Sequence, residues 1–269
     1  MYQIWMKPYF ESKLSNISVS MDNNKVINYI VKWIDDYVKK SSNIDSLVIG
    51  ISGGIDSALT STLCAMTNIK TILVKIPLNS KDISLSKAHC SSLVKGFKNT
   101  EEYEIDLSDT FNIFKQTCQA TNHNDELAFA NSKSRLRMML LYQVAQSSSG
   151  IVVGTGNKVE DFGVGFYTKY GDGGVDISPI ADLTKSEVRT LSKELGIIDG
   201  ILTAKPTDGL WEDDRTDEDQ LGLTYEQLEN AMTDENSIYR EKYLQIRNRN
   251  LHKMMPIPVC KIDDKLKNS

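Results

Sequence analysis

Two rhythms of apolar positions run along this chain. Over residues 22–40, Val26, Ile27, Ile30, Val31, Ile34 and Val38 recur at helical spacing, and Asp22 stands where an N-cap belongs. The next run, SLVIGIS (46–52), is short and rich in β-branched residues, which predicts a buried strand. A helix is then expected over 59–66, a second strand over TILVKI (71–76) before Pro77, and a helix over 80–94. A third strand over 102–107, helices over 108–117 and 125–146, and a fourth strand in GIVVGTG (150–156) continue the alternation. Strands alternating with helices predict an α/β fold with an open, parallel, twisted sheet flanked by helices. Ligands of such sheets bind beyond the carboxyl ends of the strands. Gly53 and Gly156 fall at two of those ends.

The second half is less regular. GVGFYTKYGDGG (163–174) is too rich in glycine for a regular element. Thr184-Lys185-Ser186-Glu187 is a capping box that opens a helix to Leu195, with Gly196 as its terminator, and Thr224-Tyr225-Glu226-Gln227 is another. DGLWEDDRTDEDQLG (208–222) reads as an acidic loop, and a last helix over 237–255 stops at Pro256. No internal repeat or low-complexity tract interrupts the chain, so 1–269 is expected to be a single domain.

Composition narrows the function classes. The 269 residues are 40% hydrophobic and 25% charged, with a net charge of −5, which disfavours nucleic acid as a partner. Cys64, Cys90, Cys118 and Cys260 form no CxxC, and His89, His123 and His252 form no HxxxH, so a zinc or redox centre has no support. There is no apolar run of membrane-spanning length, the N-terminus lacks a signal-peptide core, and Asn16-Ile17-Ser18 is a chance-level sequon. A reducing, cytoplasmic setting is the expectation.

The chemistry starts at GISGGIDSALT (50–60), between a strand and a helix. Gly53 and Gly54 let backbone N–H groups converge on an anion at a helix N-terminus, and Ser52 and Ser57 add hydroxyls. A Walker-type loop would carry a lysine; this one carries Asp56. A carboxylate beside phosphate is repulsive unless a hard cation such as Mg²⁺ bridges the two. A bare SGG is as often a simple turn. The full SGGIDS after a strand resembles the PP-loop enzymes, which cleave ATP between its α and β phosphates.

The remaining motifs choose among those enzymes. SKSRLRMMLLYQVAQ, VVGTGNKVEDFGVGFYTKYGDGGVDISPIADLTKSEVR, KPTDGLW and LHK closely resemble NAD synthetase over about 22–255, without an adjoining glutamine-amidase domain, as in the ammonia-dependent form. The resemblance implies a Rossmann-like, adenine nucleotide α-hydrolase-like fold and a homodimer. It implies ATP, nicotinic acid adenine dinucleotide and ammonia as substrates: the nicotinate carboxylate is adenylated and then amidated.

Residue by residue, it puts Gly50, Ile51, Ser52, Gly53, Gly54, Ile55, Asp56, Ser57, Thr155, Lys185 and Thr207 on ATP, with Asp56 and Glu160 on Mg²⁺. Arg135, Lys169, Asp176, His252 and Lys253 fall to the dinucleotide, with Arg137 a less favoured substitute for Arg135. Asp56, Lys185 and Asp176 are the catalytic candidates, although the base that frees ammonia stays open. Without the resemblance, Glu160 would be a solvated acid and Lys185 the first residue of a capped helix.

Asp213, Asp214 and Arg215 depart from the family's wording, GLWEGQTDED, and receive no role. Loops near 75–87 and 205–222 are expected to order with ligands. A tRNA-modifying adenylase would need further cysteines and a basic face. A decayed regulatory module would not keep Asp56, Thr155, Glu160 and Lys185 together. A Rossmann dehydrogenase fails because GTGNKV lacks the third glycine of its fingerprint.

Overall fold

The computed structural model describes residues 21–41, 43–79, 82–207, 209–211, 213 and 215–267. The sequon at Asn16, the N-terminal segment before Met21, Ser80, Lys81, Asp208, Glu212 and Asp214 lie outside the described residues. Strands β1 (Ser46–Gly50), β2 (Lys70–Lys75), β3 (Thr100–Glu104) and β4 (Gly150–Val152) form a parallel sheet in the order β3-β2-β1-β4. The chain passes from β1 outward to β2 and β3, then returns to lay β4 on the other side of β1. That reversal creates a crevice between the carboxyl ends of β1 and β4, where open α/β sheets take their ligands.

Side chains alternate across the pleat. Leu47, Ile49 and Leu73 enter a core with α1 (Asn23–Lys40), α2 (Ile55–Ala65) and α3 (Ser84–Gly96). Val48, Ile72, Val74 and Val152 enter the opposite core. There they meet Met138, Leu141 and Ala145 of α5 (Glu126–Ser147), which follows α4 (Ser108–Gln119). Burial on both faces explains the continuous apolar runs of β1 and β2. At the edge, β3 reads TEEYE, and its charges discourage pairing with another chain. Asp22 caps α1 as expected, accepting from the Lys25 N–H.

The remaining helices are α6 (Lys185–Glu194), α7 (Asp199–Thr203), α8 (Asp217–Leu221), α9 (Tyr225–Thr233), α10 (Arg240–Met254) and α11 (Asp264–Lys267). Thr184 and Thr224 both close complete capping boxes. Val159, Val164, Leu221, Tyr225, Leu228 and Tyr243 form a separate small core.

Three of the differences from expectation bear on the site. Helix α2 begins at Ile55, not near Leu59, because its first turn is polar and hides from an apolar pattern. Residues Lys158–Val164, of which only Gly163 and Val164 fall in the stretch expected to be irregular and the rest carry no expected element, form a π-helix capped by Asn157. The acidic segment contains α8, opened by a Thr216–Asp219 capping box.

Candidate active site

One large pocket of about 960 Å³ opens at the crevice between β1 and β4. Its first wall is the loop from Gly50 to Ser57. Gly53 has φ +90, a left-handed conformation that L side chains rarely adopt, and a Cβ there would press on the Ser86 backbone nitrogen. Ser52 Oγ accepts from the Gly54 N–H (3.1 Å) and lies 3.0 Å from Ser57 Oγ. No side chain caps α2, so its first N–H groups are left to an anion from the pocket.

Beneath the loop is a buried cluster of opposite charges. Lys185, 2% exposed, places Nζ 2.6 Å from Asp56 Oδ2 and 2.9 Å from Glu160 Oε1. Burial works against the ammonium, but the two carboxylates outweigh it and hold Lys185 above the ordinary lysine value. Burial also lifts Asp56 above the usual carboxylate range. For Glu160 the Lys185 ammonium and the Tyr225 hydroxyl overcome burial and keep it below. Tyr225 OH donates to Glu160 Oε1 (2.5 Å) and lies 3.1 Å from Asp217 Oδ2, so the acidic segment reaches the cluster through α8. Asn157 Nδ2 donates to Asp56 Oδ1 (2.9 Å).

A second cluster lines the same pocket farther along. Asp172 lines the cavity, and its Oδ1 accepts from Ser134 Oγ (2.6 Å) and from the Thr168 N–H (3.0 Å). Burial raises both Asp172 and Asp161 above the usual range, and the neighbouring carboxylates add to it. Lys253 donates to the Tyr167 carbonyl (2.7 Å), and burial lowers its pKa.

The expected residues divide between two places. Gly50 through Ser57, Thr155, Glu160, Lys185, Thr207 and Lys253 line the large pocket together. Arg135 does not. It lines a shallow cleft of about 440 Å³ with Met138, Met139, Tyr142, Tyr170 and Gly174, whereas Arg137 lines the large pocket. Lys169 and His252 meet outside the large pocket, Lys169 Nζ lying 3.4 Å from the His252 carbonyl.

Asp176 accepts from the Val152 N–H (2.8 Å) and from Tyr142 OH (3.1 Å). It closes the edge of β4 and is not brought to the buried cluster. The glycines of the TKYGDGG turn also have an internal reason. A Cβ at Gly171 would strike Ser134, and one at Gly173 the Tyr167 ring, so the space is filled by the protein itself. Arg215 stacks 4.1 Å from the Trp211 ring centroid and pairs with Asp213.

Sequence reasoning passed over Asn157, Asp161, Asp172, Asp217 and Tyr225. Asn157, Asp161 and Asp172 carried a local signal, their place within the VVGTGNKVEDFGVGFYTKYGDGG stretch.

Residues 26–261 match the family model described as NAD synthase. The NH(3)-dependent NAD(+) synthetase of Mesoplasma florum is 38% identical over 237 residues, spanning 87% of this chain and 93% of that protein. The enzyme of the same description from Methanosarcina acetivorans is 39% identical over 214 residues, spanning 79% and 82%. Among solved structures, NMN synthetase from Francisella tularensis superposes with a TM-score of 0.80 at 29% identity, covering 90% of this chain and all of that one. The NH3-dependent NAD synthetase from Campylobacter jejuni, in complex with the nitrate ion, gives 0.70 at 25%, with the same coverage.

Proposed function

The chain belongs to the NAD synthase family, and on that premise we propose how its pocket works as an ATP-consuming ligase. The enzyme adenylates the nicotinate carboxylate of nicotinic acid adenine dinucleotide, releases pyrophosphate, and amidates the adenylate with ammonia to give NAD and AMP. The observation that carries this reading is the uncapped N-terminus of α2 standing directly over the Asp56–Lys185–Glu160 cluster.

The phosphates of ATP rest on the N–H groups after Gly53, where the helix dipole favours negative charge. Two hard carboxylate oxygens from separate elements converge on one point that already holds a positive charge, so the donor set fits Mg²⁺. Among the described residues no cluster of three or more His, Cys, Asp or Glu suits a metal ion. Asp56 and Glu160 would hold such a cation, which when bound would neutralise charge on the phosphates. The Lys185 ammonium, beside both carboxylates, would stabilise charge on the departing pyrophosphate.

Asp172 takes the proton from ammonium. Its raised pKa makes it a better base than an ordinary carboxylate, and the Ser134 hydroxyl and Thr168 N–H fix its orientation. Asp176 is left as a structural residue at β4. The second nucleotide of the dinucleotide lies toward Arg135 and Tyr170, and the exposure of Met139 beside them supports closure by a second copy of the chain. Two free, buried thiols suit a cytoplasmic setting. No helix is long and apolar enough among the described residues to cross a membrane.

The likeness to NMN synthetase supports a second reading, in which the deamidated mononucleotide is the acceptor. Chromatography of products from ATP, Mg²⁺, ammonium and either acid decides between them. NAD, AMP and pyrophosphate in equal amounts, lost in Asp56→Asn, are expected with the dinucleotide. Turnover of the mononucleotide alone transfers the chemistry to the smaller substrate. ADP and phosphate overturn the reading of the loop.

A further inference from the structure

We propose that Asn157 is a positioning residue that aims the Asp56 and Glu160 carboxylates at a common cation. The inference rests on the reading of those two acids as cation ligands. Asn157 is fully buried, 0% exposed, at the junction of three segments. Its Oδ1 accepts from the Val159 N–H (3.0 Å) and the Glu160 N–H (3.1 Å), which caps the π-helix. These two donors settle which end of the amide is oxygen. Nδ2 is thereby directed at Asp56 Oδ1, 2.9 Å away.

One planar group thus fixes both acids at once. Its acceptor end holds the backbone of Glu160. Its donor end takes one oxygen of Asp56 and leaves the other, Oδ2, facing the Lys185 ammonium. The amide also acts on the Glu160 carboxylate, helping to keep it charged. The next residue anchors the arrangement to the lysine, because the Lys158 N–H donates to the Leu183 carbonyl, one residue before the Thr184 cap of α6.

Few other side chains fit both tasks. Aspartate caps but cannot donate, serine and threonine cap but are too short to reach Asp56, and glutamine is too long for the cap. A cap alone requires none of this, since Thr184, Thr216 and Thr224 perform it elsewhere in the chain. The combination is what selects asparagine.

The test uses the full chain with Asn157→Ser and Asn157→Thr, both of which retain a capping oxygen. Mn²⁺ binding in the presence of a non-hydrolysable ATP analogue is followed by electron paramagnetic resonance, beside thermal unfolding without ligand. Partners of this kind are worth about 10–100-fold in metal affinity. The expected result is Mn²⁺ half-saturation raised by about that factor in both variants, with Tm lowered by only a few degrees. In turnover assays, excess Mg²⁺ restores much of the lost rate.

Unchanged Mn²⁺ dependence, with or without a fall in Tm, reduces Asn157 to a cap and overturns the proposal. Failure of the wild-type chain to bind Mn²⁺ with the analogue overturns its premise. The binding comparison needs no turnover, so a wrong acceptor or a wrong reaction would show in the product assay and leave this result intact.

Discussion

The pocket contains two clusters of acids with one lysine each, and the two lysines behave in opposite ways. At the phosphate end, Lys185 lies within 2.6 and 2.9 Å of two carboxylates, and every member keeps a defined charge partner. At the far end, Lys253 turns to the Tyr167 carbonyl, and burial lowers its pKa while raising Asp161 and Asp172. Direct pairing at hydrogen-bond distance outweighs desolvation at Lys185 and Glu160, though not at Asp56, whereas looser proximity to acids does not outweigh it at Lys253. The paired end suits holding charge for a phosphate. The unpaired end suits exchanging a proton with ammonium.

Removing the proton acceptor should cut deepest. Asp172→Asn is expected to lower kcat/KM for ammonium by about 10²–10⁴-fold near neutral pH, as loss of a general base does. ATP–pyrophosphate exchange, which reports adenylation alone, should survive. Equal loss of both would merge the two ends into one machine.

Next in size is Lys185→Met, which strands two buried carboxylates and should cost about 3–5 kcal/mol in urea unfolding. The same change should tighten Mn²⁺ binding in the absence of nucleotide, because the resident cation is gone. Lys253→Met loses no such pair and should cost less, about 1.5–3 kcal/mol, the value of one hydrogen bond made by a charged group. Equal costs for the two lysines would erase the contrast.

The smallest effect is a slope. With its native pKa raised, Asp172 stays protonated in the folded chain above pH about 4, where an unfolded aspartate has already lost its proton. The folded state then binds more protons, so stability should fall as pH rises through that window. Asp172→Asn should flatten the urea midpoint over the same range.

How much of this was legible depended on how local each feature is. The phosphate loop is written in eight consecutive residues, and its strand and helix carry their own apolar patterns, so Gly50 to Ser57 could be placed without the fold. Glu160 and Lys185 were named through the family motif, but their meeting over Asp56 depends on α2, the π-helix and α6 converging in space. Tyr225 was visible only as a residue in a capping box, since its hydroxyl finds Glu160 across 65 residues of chain. Asp172 and Asp176 stand four apart in one motif, and nothing in the spacing tells that one faces the cavity while the other binds the edge of β4. The π-helix escaped because Gly163 and Gly165 suggest a loop, whereas Gly165 (φ +66) serves as its terminator.

That π-helix has a consequence for how such a sequence can change over time. Its Gly165 N–H closes on the Glu160 carbonyl, five residues back rather than four. The segment thus contains one residue more than an ordinary helix would need to span the same gap. Substitutions along it alter single side chains, but losing one residue would rewind the turn and swing Glu160 and Asp161 by about 100° around the axis. Lineages descending from this chain should therefore vary in those side chains of 158–164 that neither the site nor the small core uses, and hardly at all in its length.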